Sequence, residues 1–148
     1  MARNNGGTLD EWLKAAGQNG WDITRLAEEF GISRRELEYR TRKSFGSSPQ
    51  VLIDRQRVFL ACVRLAEDVP VKAVFGGFGF KQRSHFSRKV KQRSGLPPTG
   101  LLEVMRAVER EARQRGEALT PEQTATAALA MAETLRSQAQ TKSTATLR

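Results

Sequence analysis

Two stretches of this chain follow one pattern, and few folds can accommodate it. Gly31-Ile32-Ser33-Arg34-Arg35-Glu36-Leu37-Glu38-Tyr39-Arg40, closed by Gly46-Ser47-Ser48-Pro49, returns as Gly79-Phe80-Lys81-Gln82-Arg83-Ser84-His85-Phe86-Ser87-Arg88, closed by Gly95-Leu96-Pro97-Pro98. A shift of 49 residues lays Leu37 on Phe86, Gly46 on Gly95 and Pro49 on Pro98, and a shift of 48 lays Leu26 on Val74 and Gly31 on Gly79. The one-residue difference falls in a turn, where insertions are tolerated. Residues 21 to 100 are therefore read as two structurally equivalent units.

In the second copy a Gly can supply the positive-φ turn between two short helices, and Phe80, Phe86 and Val90 can anchor the second helix to a core. Gln82, Arg83, Ser84, Ser87 and Arg88 then face outward, as the reading half of a helix-turn-helix requires.

Charge placement agrees. The chain carries 25 Lys/Arg against 16 Asp/Glu, a formal net charge of +9, and residues 21 to 100 hold 16 of the basic and 8 of the acidic residues. An excess of +8 confined to the repeat points to a polyanion as partner. Sequence-reading RNA modules offer exposed aromatics for stacking. With aromatics at 7% of residues and mostly at core-like positions, double-stranded DNA is the expected partner. A single cysteine, Cys62, excludes an intramolecular disulfide, and with one His the chain lacks the ligands of a His/Cys metal site. No cofactor or metal is expected. No apolar run approaches the roughly 18 residues of a membrane span, so no membrane partner is expected and the default setting is the reducing cytoplasm, at the nucleoid.

Taken in order, residues 1–8 are polar, Gly-rich and expected to be disordered. Leu9 to Gln18 can form a short helix with Trp12, Leu13 and Ala16 on one face, ended by Gly17 and Gly20. Asp22 or Thr24 can cap a helix through Phe30 whose inner face is Ile23, Leu26, Ala27 and Phe30. Ser33 caps the next helix, with Glu36 completing a capping box, Leu37 as its clearest buried position and Gly46 as its stop. Ser48 and Pro49 open a helix to about Glu67, roughly 27 Å long, which serves as a strut between units; Cys62 lies among its apolar positions and reads as core. Pro70 or Val71 opens the second unit, and His85 falls inside its second helix. Leu101 to Arg115 reads as a further helix. Thr120-Pro121-Glu122-Gln123 is a strong helix start, followed by an apolar stripe of Ala125, Ala128, Leu129, Ala132 and Leu135 and a frayed end from Gln138. The expected fold is all-α: a double helix-turn-helix domain over 9–116 (first unit about 22–46, linker helix about 48–67, second unit about 70–95), with a C-terminal helix and tail over 117–148. Deleting 117–148 is expected to leave a folded DNA-binding core.

These residues resemble the AraC/XylS family DNA-binding domain, two helix-turn-helix units joined by a long helix, over roughly Leu9 to Ala107. The most specific part is Gly79-Phe80 through Ser84-x-Phe86-Ser87-Arg88 to Gly95-x-x-Pro98, together with Pro49, Ile53, Arg57 and Ala61 on the strut. The resemblance implies a sequence-specific transcription regulator whose two recognition helices enter successive major-groove segments. By position it assigns base reading to Arg35, Glu38 and Tyr39 in the first unit and to Gln82, Arg83, Ser84, Ser87 and Arg88 in the second. The chemistry fits: Arg35, Arg83 and Arg88 can pair with guanine, Gln82 with adenine and Glu38 with a cytosine amino group. Arg34, Arg42, Lys43, Lys89, Lys91 and Arg93 suit phosphates. The chain departs from the family pattern at Phe75, where a small Ala is usual, and at Gly76-Gly77, so the first helix of the second unit is expected to be short or bent. Tyr39, Thr41 and Leu52 replace a usual Arg, Phe and Tyr. Family members commonly carry a separate effector-sensing or dimerisation domain; here the C-terminal helices are expected to be the only additional material.

The alternative function is a DNA-architectural or mobile-element accessory protein that uses the same domain in a replication, transfer or recombination complex, with the C-terminal helix self-associating. A regulator would instead recruit RNA polymerase. An alkyl-transfer enzyme would need an activated thiolate, and Cys62 on an apolar helix face is poorly placed for that.

Overall fold

The computed structural model of the protein describes residues 7–146, with side chains through Thr141. Most of the N-terminal segment expected to be disordered and the last two residues of the chain lie outside the described residues. Eight α-helices and one 3-10 turn make up the described chain, which contains no strand. They form two compact units that divide after Arg57.

The first unit holds α1 (Leu9–Gln18), α2 (Ile23–Phe30), α3 (Arg34–Phe45) and the first half of α4 (Pro49–Ala66). Each start is fixed by a side chain that satisfies an otherwise unpaired helix N–H. Glu11 N–H donates to Thr8 Oγ1 at 3.2 Å, Arg25 N–H to Asp22 Oδ1 at 3.0 Å, and Glu36 N–H to Ser33 Oγ at 3.1 Å. The Glu36 carboxylate turns to Arg40 Nε at 2.7 Å instead of closing the expected box with Ser33. Trp12, Ala15, Ala16, Leu26, Ala27, Phe30, Leu37, Leu52 and Ile53 form the core. Of the two glycines expected to end α1, Gly17 instead lies within the helix, where a Cβ would stand 3.2 Å from the Trp21 ring, whereas Gly20 follows the C-cap Asn19 in the left-handed conformation at φ 66°. Trp21 is left-handed as well, at φ 62°, and donates its N–H to Ala16 O at 2.9 Å.

The second unit takes the other half of α4, then α5 (Val71–Val74), a 3-10 turn (Phe75–Phe78), α6 (Arg83–Ser94), α7 (Pro98–Gln114) and α8 (Pro121–Thr146). α5 is only four residues long and tightens into the 3-10 turn at Gly76-Gly77, where two poor helix formers, each costing about 1 kcal/mol against Ala, follow one another. Val58, Ala61, Cys62, Leu65, Val74, Phe80, Phe86, Val90, Leu101 and Met105 are buried together with Ala125, Ala128, Leu129 and Ala132 of α8. Pro49, Ile53, Arg57, Ala61 and Leu65, every fourth residue of α4, are all buried, Ile53 packing in the core of unit one and Ala61 and Leu65 in that of unit two.

α8 is where structure and sequence expectation part most. Its start is as expected, and the capping box is reciprocal: Gln123 N–H donates to Thr120 Oγ1 at 3.1 Å and Thr120 N–H to Gln123 Oε1 at 2.9 Å. However, the helix is continuous to Thr146, with no break at Gln138, and its Ala stripe closes the second unit's core. The compact unit that begins at Val58 includes α8. Small side chains at 125, 128 and 132 allow close helix packing, which composition alone does not reveal. Leu135, expected on the stripe, is 49% exposed.

Candidate nucleic-acid interface

α3 and α6 are each twelve residues long, and each ends at a left-handed Gly, Gly46 at φ 73° and Gly95 at φ 83°. Each is preceded by another left-handed Gly, Gly31 at φ 70° and Gly79 at φ 77°. In α3, Leu37 and Thr41 point into the unit; one 49-residue shift later Phe86 and Val90 do the same in α6. Because the inner positions match, so do the outer ones. Arg34, Arg35, Glu38, Tyr39 and Arg42 are exposed on α3, and the equivalent α6 positions are Arg83, Ser84, Ser87, Arg88 and Lys91, all exposed but for the half-buried Ser87. The spacing i, i+1, i+4, i+5, i+8 is one continuous face of a helix.

The two faces differ in charge. α3 has five basic and two acidic residues, and α6 has five basic and none acidic. On α3 several candidates engage one another: Arg42 Nη2 lies 3.3 Å from Glu38 Oε1, and Lys43 Nζ lies 5.7 Å from the Tyr39 ring centroid. On α6, Arg83 and Arg88 are exposed and make no ion pair among the described residues. Gln82 is the N-cap of α6 yet makes no capping hydrogen bond, so its amide remains on the outer surface near Ser84 Oγ, at 3.5 Å. Residues 1–57 hold 10 basic against 8 acidic residues and residues 58–148 hold 15 against 8; most of the attraction for a polyanion therefore comes from the second unit.

The family profile of the Helix-turn-helix domain, AraC type, matches residues 26–103. The chain belongs to the AraC-type helix-turn-helix family. Its DNA-binding domain thus runs from α2 into the first turns of α7, while α1 and α8 lie outside the matched stretch although both supply core residues. Searches of curated proteins and of solved structures gave no match. No catalytic family was detected. Among the described residues no helix is long and apolar enough to cross a membrane, and no three His, Cys, Asp or Glu side chains cluster to hold a metal ion.

Three polar residues of the AraC-type domain lie on inner surfaces or turn toward other helices. His85 packs edge-on against Phe80, with centroids 5.6 Å apart, on the inner side of α6. Arg93 is turned from the outer face toward α8, where it pairs with Glu133. Arg57 is buried on the inner stripe of α4 beside Asp54, at 3.8 Å; burial lowers its pKa and Asp54 opposes that, but a guanidinium remains charged at any physiological pH. Lys81, exposed in the turn that leads into α6, is a further cation beside the outer face that the repeat did not single out, since its counterpart is Ile32. Cys62 is 1% exposed. Burial pushes its thiol up to about 12 from an ordinary 9.0, against the opposing pull of Arg93, so at neutral pH it is a protonated core residue and not a nucleophile.

Proposed function

We propose that the protein is a sequence-specific transcription regulator that reads two successive major-groove segments of double-stranded DNA, one with α3 and one with α6. The observation that carries this reading is the identical outward register of the two helices, polar and basic on both, over inner faces that are each locked into a core. Arg35, Arg83 and Arg88 offer bidentate donors to guanine, Gln82 to adenine, and Glu38 an acceptor for a cytosine amino group, each good pair discriminating by about 1–3 kcal/mol. Tyr39, Ser84 and Ser87 complete the reading faces. Arg34, Arg42, Lys43, Lys89 and Lys91 hold phosphates and fix register without reading sequence. Glu38 and Arg42 leave each other on binding at little expense, since an exposed i,i+4 pair contributes only about 0.3–0.5 kcal/mol.

The architectural alternative depends on a self-associating C-terminal helix. The burial of Ala125, Ala128, Leu129 and Ala132 within their own unit uses the Ala stripe of that helix in its own core and favours the regulator; Met131 and Leu135 are the large apolar side chains it leaves exposed. Selection of sites from random duplex DNA tests the reading. The expected result is a site with two motifs about one helical turn, roughly 34 Å, apart, bound far more tightly than random DNA. Recovery of no motif, with affinity set by salt alone, would overturn it.

A further inference from the structure

α6 has no acidic residue of its own, yet its last basic side chain is paired. Arg93 Nη1 meets Glu133 Oε1 on α8, 40 residues on in the chain. One turn further along α8, Arg136 Nη1 donates to Gln92 O at 2.8 Å, supplying a cation and a donor to the C-terminal end of α6, where helix carbonyls lack partners. The Arg136 stem covers Gly95, where a Cβ would stand 3.1 Å from Arg136 Cδ. Beneath these contacts the Ala stripe of α8 packs into the core that also holds Phe86 and Val90. α8 is thereby held in one register on α6, with Glu133 opposite Arg93.

We propose that Glu133 is an affinity-setting residue of the DNA-binding surface: it pairs with Arg93 within the protein and withholds one cation from DNA phosphate. The inference rests on the DNA-binding reading above. The Glu133 side chain is 52% exposed and that of Arg93 28%; Arg93 Nε is buried while its Nη1 is the atom on Glu133, and a phosphate oxygen is the same kind of acceptor for a guanidinium as the carboxylate it would replace. On the sequence repeat Arg93 falls on Ser44, so the first unit has no cation at this position and needs no such partner.

The test is the dependence of DNA affinity on salt for the full chain, its Glu133→Gln and Arg93→Ala variants and the double variant, with random-sequence duplex as probe and thermal melting on the same samples. Each phosphate neutralised contributes about 0.9 to the slope of log K against log salt. Glu133→Gln is expected to steepen the slope by about 0.9, so that its advantage over the parent grows about 3.5-fold between 200 and 50 mM salt. Arg93→Ala is expected to leave the parent's slope unchanged and to abolish the gain in the double variant. An unchanged slope in Glu133→Gln overturns the proposal. So does a gain that survives Arg93→Ala, which would mark a general effect of charge. Failure of the parent chain to bind duplex at any salt would sink the DNA-binding reading itself, and the proposal with it.

Discussion

The repeat supplies a matched pair of substitutions that isolates the contact of α8 with α6. Gly46 and Gly95 close α3 and α6 in the same left-handed conformation, with φ of 73° and 83°. A Cβ on Gly46 meets nothing within 4 Å, whereas one on Gly95 meets Arg136 Cδ at 3.1 Å, Cγ at 3.4 Å and Cβ at 3.5 Å. Gly46→Ala therefore loses only backbone conformational energy, about 1–2 kcal/mol. Gly95→Ala loses the same and also displaces Arg136, whose hydrogen bond to Gln92 O is worth about 1 kcal/mol, for a total of about 2–3 kcal/mol. Both tryptophans, Trp12 and Trp21, lie in the first unit, so urea unfolding followed by tryptophan fluorescence reports Gly46→Ala, and far-UV circular dichroism reports both variants. In an Arg136→Ala background the extra loss at Gly95 is expected to vanish, since the close Cδ and Cγ contacts and the hydrogen bond are already gone and the remaining Cβ, at 3.5 Å, is in ordinary van der Waals contact. Equal destabilisation by the two glycine substitutions, or an excess at Gly95 that persists without Arg136, would refute the reasoning.

Arg88→Ala is expected to weaken specific binding by about 1–3 kcal/mol and to relax preference at one base pair, measured by site selection; an unchanged preference removes Arg88 from the readers. Lys91→Ala is expected to weaken all sequences alike and to lower the salt slope by about one, in contrast to Arg88→Ala. Deletion of 117–148 removes Ala125, Ala128, Leu129 and Ala132 from the core, so the second unit is expected to lose cooperative unfolding in circular dichroism while the fluorescence transition of the first unit persists; a cooperative second unit in the truncated chain would show that α8 is dispensable. Cys62 is expected to resist alkylation at pH 8 until the protein unfolds. Its thiol lies near 12 in the fold, above its unfolded value, so its contribution to stability is intact below about pH 9 and is lost as pH rises toward 12; rapid native labelling at pH 8 would contradict its burial.

Much of this protein was legible from local chemistry. Left-handed glycines at 31, 46, 79 and 95, hydroxyl or carboxylate caps at Asp22, Ser33 and Thr120, and apolar positions at helical spacing each act within a few residues, so the sequence by itself determined the helices, the repeat and the outward faces of α3 and α6. Even the shortened α5 follows locally from Gly76-Gly77.

What only the tertiary structure decided are contacts between residues far apart in the chain. Nothing near Arg93 in sequence distinguishes it from Lys91; Glu133 does, from 40 residues away. Arg57 occupies a buried stripe because its neighbours at 53 and 61 do. The Ala residues of α8 could have faced a second copy or their own core, because an apolar stripe specifies burial without naming the surface that buries it. Packing against α6 and α7 made that choice, and in doing so placed a carboxylate beside the second recognition helix.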